Sequence, residues 1–159
     1  MPGVLSLIDN PLTPQPRRVK LQAGDLPMKW IIAYLSAGVS FGLLDFLWLG
    51  WAGKNFYRPL IGEMLAPSFR GGPALVFYLA YIAGMVWFAV RPGLAGGTGQ
   101  ATLNGALLGA LAYATYDLTN QATLKVWSTQ VTVADIIWGA FATAVASTVA
   151  AWVTTRFAA

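Results

Sequence analysis

The residues best able to do chemistry in this chain are acids set among apolar runs. Asp45 stands in "DFLWLG" and Asp135 in "DIIWG", while Asp117 stands in "YATYDLTNQATLKVW", Tyr113 to Trp127, beside Tyr113, Tyr116, Thr119, Asn120 and Thr123. Carboxyl, phenol, amide and hydroxyl groups can donate or accept hydrogen bonds, bind a polar headgroup or move a proton. Histidine and cysteine are both absent. The commonest general base, the commonest transition-metal ligand and all thiolate chemistry are thereby excluded, and no metal set or cofactor motif is predicted. The segment "NGALLGA", Asn104 to Ala110, has the glycines of a phosphate loop but neither its lysine nor its hydroxyl, and reads as helix packing.

These groups must be positioned by elements suited to a bilayer. The chain has 159 residues, 57% of them hydrophobic and 10% charged, against about 25% charged in soluble domains. The net charge of +4 comes from Lys and Arg flanking the apolar runs. That placement fits topology and lipid headgroups, not nucleic acid. Spans are predicted at residues 28–51, 73–90, 101–126 and 131–153, giving an all-α, polytopic bundle of four transmembrane helices. Residues 1–27, with five prolines and no helical apolar period, are predicted to form a disordered or extended leader. Gly53 to Gly72 reads as a loop with a short interfacial helix, and Pro92 as the stop of the second span. Only "WSTQ" separates the last two spans, which must form an antiparallel hairpin.

Counting basic residues by side sets Arg17, Arg18, Lys20, Lys29, Arg91 and Arg156 against Lys54, Arg58, Arg70 and Lys125. The bias predicts both termini in the cytoplasm. Asp45 and Trp48 then lie late in span one, the Tyr113–Thr123 group late in span three, and Asp135 and Trp138 early in span four, all at one depth. On span three, Gly105, Gly109, Tyr113, Tyr116, Asn120 and Thr123 fall within an arc of roughly 80°, with Asp117 at its edge. Small residues let helices approach, so the faces bearing Gly38, Gly42, Gly105, Gly109 and Gly139 are predicted to point inward with their acids. An acid near mid-membrane costs roughly 2.5–3.5 kcal/mol on insertion scales, and so demands partners.

From Met28 onward the chain resembles the bacterial family of predicted membrane proteins catalogued as domain of unknown function 2177. The resemblance is carried by "DFLWLG", "FYRPLIGEML", "FAVRP", "YATYDLTNQATLKVW" and "DIIWG". It implies about four helices in a bacterial cytoplasmic membrane, and its members are often encoded near lipid-modifying enzymes. It carries no activity with it, and residues 1–27 depart from its pattern.

Three readings follow. A binding or transport module would hold a lipid or small amphiphile in a polar pocket formed by Asp45, Trp48, Tyr113, Tyr116, Asp117, Thr119, Asn120, Thr123, Asp135 and Trp138. Tyr57, Arg58, Glu63 and Arg70 would meet anionic headgroups, and Lys125 would reach toward headgroups or join the polar group. A membrane enzyme would use Asp117 or Asp45 as acid or base. A structural subunit would dock a second copy or another membrane protein through its glycine-rich faces, and the same acids would then serve only to fix helix packing. Trp48, Trp127 and Trp138 also suit a plain anchoring role at the membrane boundary.

Overall fold

The computed structural model describes residues 25–158, with side chains from Met28 onward. The predicted leader therefore lies almost wholly outside the described residues. Helix α1 (Asp25–Ala52) continues through a π-helical turn (Gly53–Tyr57) into α2 (Arg58–Ile61) and a final 3-10 turn (Gly62–Met64). After an extended segment, α3 (Gly71–Met85), a second π turn (Val86–Val90) and α4 (Arg91–Gly96) form one rod. Helices α5 (Thr98–Thr123) and α6 (Thr129–Phe157) complete the bundle.

Two predicted boundaries are corrected, and for one reason. The loop expected from Gly53 is helical as far as Met64, and the stop expected at Pro92 does not occur. Each π turn directly precedes an Arg-Pro pair, Arg58-Pro59 or Arg91-Pro92. Proline lacks an N–H, and its ring crowds the carbonyl four residues back. The wider turn absorbs this by bonding the Arg58 N–H to the Gly53 carbonyl and the Arg91 N–H to that of Val86. The second rod ends instead at Gly97, whose φ of 90° places it in the left-handed region that glycine tolerates. The hairpin link is likewise shifted: α5 stops at Thr123, so Lys125 belongs to the connection and not to the span.

Among the described residues, three stretches are long and apolar enough to cross a bilayer: Met28–Met64, Gly71–Gly96 and Thr129–Phe157. Helix α5, predicted as a span, has 26 residues, about 39 Å at 1.5 Å per residue. Its many polar residues keep it out of that group. It nonetheless presents an apolar outer face of Leu103, Leu107, Leu111 and Leu118. Thr115, Thr119 and Thr123 lie exposed, each hydroxyl donating to the carbonyl four residues back at 2.5–2.7 Å. A hydroxyl satisfied within its own helix can face lipid at little cost.

Helix α6 is central, packed by α1 on one side and α5 on the other. The α5–α6 contact depends on absent side chains. A methyl on Gly109 would overlap the Gly139 carbonyl, and one on Gly105 would come within 2.8 Å of both the Ser147 hydroxyl and the Thr143 carbonyl. On α1 the inward stripe is Ala33, Ala37, Phe41 and Asp45, at four-residue spacing. Gly42, expected as a packing point, has open space beside it, while Gly38 does lie close to the Ile82 side chain. Phe41 joins α1 to α3 by packing its ring 5.2 Å from that of Tyr81 and 6.2 Å from that of Tyr78.

Candidate binding site

The late turns of α1 and the early turns of α6 run antiparallel, and each brings an Asp-x-x-Trp sequence to the same level: Asp45 to Trp48 and Asp135 to Trp138. Asp45 and Asp135 are 6% and 7% exposed. The two indoles stack, with centroids 4.7 Å apart and planes 10° from parallel. Each tryptophan then serves the acid of the opposite helix. Trp138 Nε1–H donates to Asp45 Oδ1 at 3.2 Å. Trp48 Nε1–H donates to the Tyr57 hydroxyl at 2.9 Å, which in turn donates to Asp135 Oδ1 at 2.6 Å. The Tyr78 hydroxyl, from α3, donates to Asp45 Oδ2.

The π turn is what makes Tyr57 available. Twelve residues on from Asp45, it would stand about 120° away around an unbroken helix; the extra residue removes about 100° and leaves the two within about 20°. Sequence reading assigned Tyr57 to a headgroup loop. It stands in the π turn and not in a loop, and its hydroxyl bridges α1 and α6.

All of these groups except Tyr78 line an open cavity of about 750 Å³ at one end of the bundle, with the two acids at its floor. Tyr113, Tyr116 and Trp127 supply further aromatic walls, and Leu65, Ala66, Ser68, Phe69 and Arg70 of the α2–α3 connection also line it. Lys54, Arg58 and Arg70 are exposed at its rim. Room for Tyr113 comes from Gly139, where a methyl would overlap the tyrosine ring. The wall formed by Trp48 and Trp138 has a second side. There an apolar groove of about 310 Å³ runs along Ala134, Ile137 and Phe141 on the outer face of α6.

Of the residues proposed from sequence, Asp45, Trp48, Tyr113, Asp135 and Trp138 converge on this cavity together with Tyr57, Arg58 and Arg70. Tyr116 reaches its edge while remaining 60% exposed, its ring set edge-on to Trp127 at 5.7 Å. Thr119, Thr123, Glu63 and Lys125 are exposed and outside the lining, and Asn120 is half-buried beyond it. Asp117 is the main change. Expected at the edge of the inward arc, it is completely buried, and among the described residues neither carboxyl oxygen has a hydrogen-bond partner. It lies on the Ala101, Gly105 and Gly109 stripe that meets α6, apart from the cavity lining.

Sequence reading missed Tyr78, Tyr81 and Lys54. Tyr81 is buried, and its hydroxyl pairs with that of Thr143 at 2.8 Å. Two phenols three residues apart in an otherwise apolar span were a legible sign of inward polar partners. So was the recurrence of Asp-x-x-Trp on two helices.

Fold and site together define a polytopic helical membrane protein with an acid-floored, aromatic-walled cavity at one end. The chain belongs to the family described as predicted membrane protein (DUF2177), whose model matches residues 30–152. No curated protein and no solved structure matches it.

Proposed function

We propose that the protein binds a membrane amphiphile, with the polar headgroup in the cavity and the apolar tail along the groove of α6, and that it does so in a bacterial cytoplasmic membrane. One observation carries this reading: the stacked Trp48–Trp138 pair is a wall common to the polar cavity and to the apolar groove outside it. An amphiphile needs such adjoining surfaces. Aromatic rings suit the boundary because they offer an apolar body and a polar edge. The cavity volume falls within the roughly 300–1,000 Å³ usual for small-ligand sites, and the walls come from rigid helices already joined by hydrogen bonds.

The test is native mass spectrometry of protein extracted in mild detergent, with lipid analysis of what accompanies it. Wild-type protein is expected to retain about one amphiphile per cavity, in line with the one-headgroup volume. Replacing both stacked tryptophans, as Trp48→Ala with Trp138→Ala, is expected to abolish retention. A folded wild-type protein that carries no amphiphile, and takes none up from added lipid, would refute the proposal.

A further inference from the structure

The charges around the cavity are arranged in two tiers of opposite sign. Asp45 and Asp135 form the inner tier, and every hydrogen-bond donor that reaches them among the described residues is neutral: Tyr78 and Trp138 on the first, Tyr57 on the second. Neutral donors orient a carboxylate without cancelling its charge, so a cation placed beside this pair of acids would be stabilised by both. The stacked indoles beside them add ring faces that attract an ammonium group. The outer tier is Lys54, Arg58 and Arg70 at the rim, the two arginines being exposed guanidinium groups suited to the bidentate recognition of phosphate.

Resting on the amphiphile reading above, we infer that the ligand's headgroup is a zwitterionic phosphoamine. Its ammonium would point down to Asp45 and Asp135, and its phosphate would stay up at Arg58 and Arg70. A phosphate ester lacking an amine would put its neutral or anionic end against two acids, which the inner tier disfavours. An amine lacking a phosphate would leave the rim unused. The order of the charges therefore selects one orientation as well as one class.

The experiment uses full-length protein in nanodiscs made of equimolar phosphatidylethanolamine and phosphatidylglycerol, released into mild detergent and weighed intact. Wild-type protein is expected to keep phosphatidylethanolamine over phosphatidylglycerol by at least about tenfold, the size expected when one member of a buried charge pair is lost. Asp135→Asn should bring that ratio close to one. Arg58→Gln combined with Arg70→Gln should reduce retention of both lipids, and Asp117→Asn, outside the cavity, should leave the ratio as in wild type. Displacement of the bound lipid by free phosphoethanolamine would place recognition in the headgroup alone, whereas resistance to it would assign recognition to the intact lipid; either supports the inference. Equal retention of the two lipids by wild-type protein overturns the headgroup class and leaves amphiphile binding standing. Retention of neither overturns both.

Discussion

Trp48 and Trp138 lie face to face, 4.7 Å between ring centroids, and each hands its indole proton toward the acid on the other's helix. This crossed arrangement fixes the register of α1 against α6. Sliding either helix by one residue would turn its tryptophan about 100° away and break both chains of hydrogen bonds together.

Trp48→Ala is therefore expected to do more than remove a ring. The stacking itself is worth about 0.5–1.5 kcal/mol beyond area burial, and Tyr57 loses the donor that orients it. The melting temperature in detergent should fall, while Trp48→Phe, which can still stack, should recover most of it. Equal melting of wild-type protein and the alanine variant would show that the register is held elsewhere.

Tyr57→Phe and Tyr78→Phe each remove one hydroxyl from a buried carboxylate. An orphaned polar group costs about 1–3 kcal/mol, so each variant should lose unfolding free energy in that range, read as a lower denaturation midpoint. Tyr34→Phe, whose hydroxyl donates to the Leu79 carbonyl in an exposed position, should cost less.

Helix contact through glycine can be tested by adding a single methyl. Gly109→Ala drives a methyl into the Gly139 backbone, and overpacking of this kind costs about 1–3 kcal/mol or more. Gly42→Ala meets nothing within 4 Å and should leave thermal stability unchanged or raise it through helix propensity. Comparing the two melting curves separates close packing from glycine content as such.

Asp117 offers the opposite prediction from the cavity acids. With both oxygens buried and unpartnered among the described residues, exchange for an apolar side chain that is no larger removes a desolvation cost of about 1–3 kcal/mol without overpacking the α5–α6 contact. Asp117→Ala should be as stable as wild type or more so, whereas Asp135→Ala strands the Tyr57 hydroxyl and should be less stable. A marked loss in Asp117→Ala, measured by chemical denaturation, would mean that its carboxyl holds a tightly bound partner.

Class and coarse organisation were legible from residue types alone, because crossing a bilayer demands long apolar helices and leaves few other uses for such runs. Antiparallel connection also required Asp45, Trp48, Asp135 and Trp138 to share a depth, and they do meet. The inward arc of α6 was legible as well, from Asp135 and Gly139, but the tertiary structure alone decided where the inward arc of α5 is centred. On α5, angular projection grouped Tyr116 and Thr123 with Gly105 and Gly109, yet contact with α6 buries Asp117 and leaves Tyr116 and Thr123 outside. Projection gives angles between residues but not the direction of the partner helix. It also assumes a constant turn, and the π turns before Arg58 and Arg91 break that assumption by about 100° each. Tyr57 reached the acids, and Met85 and Gly93 came to be buried on one face, because the chain added a residue to a turn ahead of a proline. Backbone geometry of that kind is set by what each helix packs against as much as by its own residues.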